Sequence, residues 1–351
     1  MLVTQIDDNF ICPVHNSIGV MRFGFPDFTA HPNPLVTAGG GSFDLVKDEF
    51  ECERMLISFP KNSFQDYRDS TQLPAMRGKS IRTIFIRGFH AHYAKVEREA
   101  GNRHGSAMLS KVEAHLNNRR KSLPPHGLAL EAAGGHGRFI EGFRRRFDGV
   151  VFVDCSLQNL VLARQLATEA KLSNITFVRA DVTRLPFANN TFAFIHENNV
   201  IEHVSNPISM VSEAWRLLSP GGVYAMLSPN AYPITPEPHF GIPLFAAIPK
   251  QIRTQLIRIT RGNESEEGTR LQSLYGIRKI FRNLEIDVEI FFLPPSLLSL
   301  ARTTKLRKLI QFLLGNKITS AVILSIVNGP LLAIMPYHLS LAQKPEHLDV
   351  L

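Results

Sequence analysis

Residues 128–139 read LALEAAGGHGRF, which predicts a buried strand, a turn of small residues and the first turn of a helix. Glu131 lies near the end of the strand, and Phe139 begins a series of apolar residues at helical spacing. Ala133 and the glycines that follow it carry almost no side chain, so the backbone can approach a ligand closely. N–H groups at the start of a helix favour a polar or negatively charged group. The stretch therefore predicts a binding site for a ligand with a polar or charged end.

The chain beyond this stretch alternates between short apolar runs and amphipathic segments. The apolar runs predict further strands at residues 149–154, 174–181, 191–198, 223–230, 285–293 and 335–344. The amphipathic segments predict helices at residues 156–172, 207–218 and 273–284. Strands that alternate with helices indicate an α/β fold, in which helices cover both faces of a doubly wound, mostly parallel sheet.

The remaining segments divide the chain into two unequal parts. Residues 1–80 contain clusters of Gly, Pro and Asn and predict an irregular N-terminal region. Residues 81–351 are expected to form the main domain, which starts with a helical segment at 81–119. Two insertions are predicted in this domain, a Pro-rich and charged one at about 231–270 and an apolar, helical one at about 294–335.

Composition and charge describe a globular protein. The chain has 351 residues, of which 44% are hydrophobic and 20% charged, so it can bury a large core. Its formal net charge is +8, but the basic residues are scattered in short clusters such as Arg144–Arg146 and Arg302–Lys308. Because neither a long basic tract nor a basic-aromatic motif is present, we expect no nucleic-acid partner.

The three cysteines are widely spaced, which is typical of a reducing compartment. Cys12-Pro13-Val14-His15 has the spacing of half a zinc ribbon, but no second pair follows. We therefore predict no metal site, and we expect a degenerate ribbon or a plain loop here. The first ten residues lack a secretory pattern, and Asn328-Gly329-Pro330 interrupts the most apolar stretch. These features favour a cytoplasmic protein, with peripheral contact to a membrane as an open alternative.

Polar residues stand at or just beyond the ends of four predicted strands. They are Glu131, Asp154, Asp181 and the pair Glu197-Asn198. In a parallel sheet these ends share one edge, where ligands bind. Asp154 follows Glu131 by 23 residues, the place where a carboxylate accepts hydrogen bonds from a ribose. The acid after the third strand suits an adenine amino group. The glycine spacing departs from the G-x-G-x-x-G of dehydrogenases, so a dinucleotide is not favoured.

At these residues the sequence resembles the class I S-adenosylmethionine-dependent methyltransferases, specifically the group that includes ubiquinone and menaquinone biosynthesis enzymes. Glu131–Gly137 fits the family's acid-G-x-G-x-G motif with Ala133 in place of the first Gly. VFVDCS, RADVTRLPFANNTF, NNVIEHVSNP, WRLLSPGG and LSPN follow in the family's order. The resemblance is close over residues 125–232 and only in outline over 270–344. It implies a Rossmann-like, seven-stranded sheet whose last strand is antiparallel.

The resemblance also implies roles for individual residues in binding S-adenosyl-L-methionine. Glu131 would position the turn or contact the ammonium group, and Ala133 and Ser156 fall within the binding motifs. Gly135 and Gly137 would contact the methionine part, and Asp154 the ribose. Asp181 and Val182 would contact the adenine. Asn198 and Asn199 would lie beside the sulfonium. One further departure is Ala193, which stands where the fourth strand commonly carries an acid.

Methyl transfer is an in-line displacement that depends mainly on alignment in a water-poor pocket. A general base is needed only when the acceptor must lose a proton that it would otherwise keep. His203 follows the fourth predicted strand and is the candidate base, and Asn199 is the second candidate catalytic residue. A structural role of His203 at the start of a helix is the alternative.

The acceptor is predicted only as a class. Apolar residues in both insertions suit a small-molecule or lipid-like acceptor, methylated on oxygen or carbon, and Arg302–Lys308 suits an anionic membrane. Two alternatives remain. One is methylation of RNA or protein, which Ser228-Pro229-Asn230 disfavours because the signature of amino-group methylation is absent. The other is a binding or scaffold protein without catalysis, for which Ala133 and Ala193 are the motive.

Overall fold

The computed structural model describes the following residues: 4–6, 9–11, 18–22, 25–29, 35–38, 41–44, 103–233, 245–261, 270–292, 323, 325–329, 331–335 and 337–346. Several predictions of the sequence fall outside these residues. They concern the helical segment before residue 103, the half zinc ribbon at Cys12, parts of both insertions (234–244, 262–269 and 293–322) and the basic cluster Arg302–Lys308.

The strands are β1 (Thr4–Ile6), β2 (Asn9–Ile11), β3 (Ile18–Arg22), β4 (Phe25–Asp27), β5 (Leu35–Ala38), β6 (Gly41–Asp44), β7 (Leu128–Ala132), β8 (Gly149–Asp154), β9 (Ile175–Arg179), β10 (Phe192–Asn198), β11 (Leu218–Pro229), β12 (Glu289–Phe291) and β13 (Tyr337–Gln343). The helices are α1 (Arg103–Asn117), α2 (Ile140–Arg146), α3 (Leu157–Glu169), α4 (Pro207–Leu217), α5 (Lys250–Arg261) and α6 (Leu274–Asn283).

The principal sheet has the order β1-β2-β3-β4-β9-β8-β7-β10-β11-β13-β12. Its segment from β9 to β11 is parallel, and β13 is antiparallel to both of its neighbours. The seven strands from β9 to β12 in this order confirm the predicted mostly parallel sheet with an antiparallel last strand. The central strands β7 and β10 each have a parallel neighbour on both sides, and their carboxyl ends lie at the same edge of the sheet.

Helices cover both faces of this sheet, as the alternating pattern predicts. One face packs against α4 and α6 in a core that contains Leu130, Ile195 and Tyr224. The other face packs against α1 and α2 through a cluster that contains Phe143 and Phe194. All six residues of β8 are buried, which explains why its sequence, GVVFVD, is a continuous apolar run rather than an alternating one.

Helices α1 and α2 cross at glycines. A Cβ on Gly142 would lie 2.4 Å from the backbone nitrogen of Ser106 and 2.6 Å from Cα of Gly105. A Cβ on Gly105 would in turn lie 2.5 Å from the carbonyl oxygen of Phe139. The two backbones are therefore in contact, and this contact fixes the turn that precedes α2 against α1.

The N-terminal region differs from the irregular segment that the sequence predicts. Strands β1–β4 form an antiparallel series, and β4 then pairs in parallel with β9 through Asp27 and Arg179. Strands β5 and β6 form a separate hairpin. The reason for the difference is length: these strands have three to five residues each, which is too short for periodicity to reveal beside Gly, Pro and Asn.

The hydropathy of the helices bears on whether the chain could cross a membrane. Within the described ranges, no helix combines the length and apolar character needed to cross a bilayer.

Candidate functional site

The glycine-rich turn lies between β7 and α2, at the carboxyl edge of the sheet. Ala133, Gly135 and Gly137 have φ values of 51°, 57° and 80°, so the backbone alternates into the left-handed region. A Cβ on Gly134 would lie 2.2 Å from the Phe152 ring, so this glycine is required for packing. A Cβ on Gly135 would meet nothing within 4 Å. The turn therefore presents the backbone of Gly135 to open space.

Asp154 is the last residue of β8 and holds the turn in place. Its Oδ2 accepts a hydrogen bond from the Gly135 N–H at 2.9 Å, and its Oδ1 accepts from the Ser156 N–H at 2.8 Å. Ser156 in turn caps α3, since its hydroxyl oxygen accepts from the Asn159 N–H. These two bonds fix the orientation of the Asp154 carboxylate at the end of the strand.

Asp181 and Val182 follow β9 at the same edge. Asp181 Oδ1 accepts hydrogen bonds from the N–H and from the hydroxyl of Thr183, each at 2.8 Å. This local turn orients the half-buried carboxyl group, while the side chain of Val182 is buried in the core. Asp154 and Asp181 thus follow neighbouring strands, as the sequence predicts.

Glu131 lies inside the sheet rather than at its edge. It is buried, and its Oε2 lies 2.9 Å from Nδ1 of His196, its direct neighbour on β10. Burial raises the pKa of Glu131, while the neighbouring His196 and Arg138 oppose that rise. A Cβ on Gly134 would lie 2.5 Å from Cγ of Glu131. Glu131 therefore contacts the turn directly and supports it from below.

His196 is a member of this site that the sequence did not reveal. It lies among the rings of Phe139, Phe143 and Phe194, and its Nε2 has no hydrogen-bond partner among the described residues. The signal that could have found it is register. A histidine one residue before Glu197 in a parallel neighbour of β7 is placed to face Glu131.

Glu197 points to the opposite face of the sheet. The Tyr224 hydroxyl donates a hydrogen bond to its Oε2, and both groups are buried. Burial raises the pKa of Glu197 to about 8, a rise that Glu131 adds to and the Tyr224 hydrogen bond opposes. Glu197 is therefore mainly protonated at neutral pH, and it belongs to the core rather than to the row of acids at the edge.

The predicted catalytic residues lie in the connection between β10 and α4. Asn198 ends β10, and Asn199 has a left-handed backbone with φ 57°, held by its N–H, which donates to the Leu227 carbonyl at 2.9 Å. Asn199 Oδ1 is buried and has no hydrogen-bond partner within the described part of the chain. The His203 side chain is 45% exposed, and its Nε2 lies 3.9 Å from Oε1 of the buried Glu202.

Asn230, at the end of β11, has a structural role that the sequence did not reveal. Its amide nitrogen donates to the carbonyl oxygens of Ala333 and Met335, both at 2.8 Å, and its Oδ1 accepts from the Tyr232 N–H. These bonds attach the segment before β13 to the edge of the sheet. No cluster of metal-ligating side chains occurs in the ranges that the structure describes.

Comparison with known proteins places this edge in a recognised domain. Residues 130–226 match the methyltransferase domain family. The ubiquinone/menaquinone biosynthesis C-methyltransferase UbiE of Cereibacter sphaeroides is 33% identical over 107 residues, which are 30% of this chain and 43% of that protein. An uncharacterized methyltransferase of Mycolicibacterium vanbaalenii is 34% identical over 161 residues, 44% of this chain and 62% of that protein.

Among solved structures, the geranyl diphosphate C-methyltransferase of Streptomyces coelicolor is 17% identical and aligns with a TM-score of 0.45 over 73% of this chain and 85% of that one. The chain spans less than half the length of the UbiE relative. The matched segment contains most of β7, all of β8, β9 and β10, and most of β11. It therefore includes the glycine turn, the acid that ends β8 and the acid that follows β9. Residues 130–226 of this chain are therefore similar to a methyltransferase domain.

Proposed function

We propose that this chain binds S-adenosyl-L-methionine at the glycine turn and transfers its methyl group to a small-molecule acceptor. The observation that carries the proposal is Gly135, whose left-handed backbone faces open space and is bonded to Asp154. A ligand can approach that backbone without meeting a side chain. The cofactor supplies the electrophilic methyl group when bound, and the protein supplies alignment and the exclusion of water.

The described side chains fit the parts of this cofactor. Asp154 is oriented by two backbone N–H groups and ends the second parallel strand, where a carboxylate suits ribose hydroxyls. Asp181, with the backbone of Val182, suits the adenine ring. Gly135 leaves room for the methionine part, while Ala133 adopts a left-handed backbone within the same turn. A Cβ on Gly137 would lie 2.7 Å from Cδ1 of Ile140, so this glycine lets the turn pack closely against the helix that follows. Ser156 fixes the loop after Asp154, and Glu131 supports the turn through its contact with Gly134.

Asn198, Asn199 and His203 would act nearest the reacting groups. The buried Asn199 Oδ1 could accept a hydrogen bond from a ligand, which suits a positioning role. His203 is half exposed and lies near the buried Glu202, an arrangement that allows it to exchange protons with solvent. If His203 is a base, His203→Ala lowers turnover while leaving cofactor affinity within about twofold. Equal loss of both would indicate a structural role instead.

Two observations support a small, apolar acceptor. The name of the Cereibacter relative describes quinone biosynthesis and methylation of carbon. Helix α5 belongs to the first insertion, has several basic residues and no acidic one, and exposes half of Ile252. A basic, amphipathic helix is typical of proteins that rest on anionic membranes, where a lipid-like acceptor would lie. Flotation with anionic vesicles at low and high salt tests that contact.

The test of the proposed function is calorimetric titration of the purified chain with S-adenosylmethionine and with its demethylated product, S-adenosylhomocysteine. We expect both to bind, and we expect Asp154→Ala to weaken binding about tenfold or more, since a hydrogen bond to a charged group contributes about 1.5–3 kcal/mol. Absence of binding by the unmodified chain would favour the scaffold alternative. Methyl transfer from tritiated S-adenosylmethionine to extract fractions of lipid, small molecules, RNA and protein then identifies the acceptor class.

A further inference from the structure

The N-terminal strand β4 attaches to the sheet through a buried ion pair. Asp27 Oδ2 lies 3.1 Å from Nη1 of Arg179, and both side chains are fully buried although the residues are 152 positions apart. Asp27 Oδ1 accepts further hydrogen bonds from the N–H and the hydroxyl of Thr29, at 2.8 and 2.5 Å. Burying two charges carries a large desolvation cost, so the pair is weak evidence for stability alone.

Arg179 also reaches the loop that carries Asp154. Its Nε donates to the Cys155 carbonyl oxygen at 3.0 Å. The Ala180 N–H, one residue further along the chain, donates to the Asp154 carbonyl oxygen at 3.3 Å. Since the Asp154 carboxylate in turn accepts from the Gly135 N–H, hydrogen bonds and the one-residue backbone steps between them join Asp27 to the glycine turn.

The segment after β4 continues along the same edge. The Phe28 N–H donates to the Arg179 carbonyl oxygen at 2.8 Å, so the chain after β4 runs alongside the end of β9. The Phe28 side chain packs against the core that contains Ala180 and Val182. Residues 25–29 therefore cover the side of β9 that would otherwise be the edge of the parallel sheet.

We propose that Asp27 and Arg179 are positioning residues for the adenosine half of the cofactor, so that residues 25–29 form part of the cofactor site. This inference rests on the proposed function. Arg179 pairs with Asp27 and also holds the Cys155 carbonyl, and the fork of a guanidinium can make both contacts at once. Removing the Asp27 carboxylate takes away a buried contact that orients the guanidinium, and this weakens its hold on the loop that presents Asp154.

The variants Asp27→Asn and Arg179→Lys test the proposal, because each keeps the size of the side chain while weakening the pair. Thr29→Val is a milder third variant, which removes only the hydroxyl bond to Asp27. Lys344→Met is the matched control, since Lys344 Nζ is bonded to the Leu218 carbonyl at the start of β11, at the opposite edge of the sheet. Binding of S-adenosylhomocysteine is measured by calorimetry at a temperature at which each variant is folded by circular dichroism.

We expect Asp27→Asn and Arg179→Lys to weaken binding of S-adenosylhomocysteine about tenfold, and Thr29→Val to weaken it about threefold. Lys344→Met should bind S-adenosylhomocysteine like the unmodified chain, even if its thermal midpoint falls by as much as those of Asp27→Asn and Arg179→Lys. Binding by Asp27→Asn and Arg179→Lys that equals that of Lys344→Met would overturn the positioning role. If the unmodified chain itself does not bind, the proposed function fails instead, so the two failures are distinguishable. If Asp27→Asn and Arg179→Lys do not fold, Thr29→Val decides.

Discussion

The open space beside Gly135 leads to a prediction about substitution by alanine. A residue other than glycine in the left-handed region costs about 1–2 kcal/mol, while loss of the flexible glycine from the unfolded chain returns about 0.4–1 kcal/mol. Because a Cβ on Gly135 meets nothing within 4 Å, no clash adds to this cost. We therefore expect Gly135→Ala to lower the free energy of unfolding by about 1 kcal/mol, a fall of about 1–2 °C in the thermal midpoint for a chain of this length.

The effect on cofactor binding should be much larger than the effect on stability. If the cofactor occupies the space beside Gly135, the new methyl group lies within its volume, and overpacking of this kind costs about 1–3 kcal/mol. Affinity for S-adenosylhomocysteine should then fall by about 5-fold to 150-fold, measured by calorimetry on folded protein. Affinity within twofold of that of the unmodified chain would refute the assignment of this space to the cofactor.

Two neighbouring variants serve as controls. Ala133 has nearly the same φ as Gly135, 51° against 57°. Ala133→Gly should relieve strain and change stability by less than about 1 kcal/mol, without adding any atom to the turn. Gly134→Ala should impair folding itself, because its Cβ would lie 2.2 Å from the Phe152 ring. The three adjacent substitutions thus separate backbone strain, internal packing and ligand contact.

Three further predictions concern the scaffold beneath the site. Gly142→Ala should lower the free energy of unfolding by about 1–3 kcal/mol in denaturant titration, because the new Cβ meets the backbone of Gly105. Alanine normally stabilises a helix relative to glycine, so a stabilised variant would contradict the helix crossing. His196→Leu should lower the free energy of unfolding by about 3–5 kcal/mol, because it leaves the buried Glu131 without this partner. The double variant with Glu131→Met should recover at least half of that loss in the same titration. Equal losses in the single and double variants would show that the pair is not the cause. Glu197→Gln should become more stable relative to the unmodified chain as the pH rises from about 5 to about 8, and the difference should level off above that. The reason is that the pKa of Glu197 is raised from 4.5 to about 8, so in this range the folded chain keeps a proton that the unfolded chain has already released. A difference independent of pH would contradict the protonated state.

The parallel sheet and the position of the glycine turn could be predicted because both depend on local patterns. The continuous apolar run of β8 and the small residues at 132–137 need no knowledge of distant contacts. Asp154 and Asp181 were found for the same reason, since each directly follows or ends an apolar run. The Asp27–Arg179 pair could not be found in this way. It joins residues 152 positions apart, and β4 is a strand of three residues without a periodic pattern.

The four acids that the sequence groups at one edge differ in their position relative to the strand ends. Asp154 is the last residue of β8 and Asp181 lies two residues beyond β9, so both stand where the sheet ends. Glu131 and Glu197 are each one residue before the end of a central strand, where neighbouring strands and helices cover them. Burial then raises the pKa of both, and each needs a partner, His196 on one face and Tyr224 on the other. A shift of one residue along a strand thus distinguishes an acid that can bind a ligand from an acid that holds two strands together. Because adjacent residues of a strand point to opposite faces, the same shift places His196 and Glu197 on different faces of β10. The paired substitutions at Glu131 and His196 therefore report on the scaffold under the turn, and substitutions at Asp154 report on the proposed ligand site.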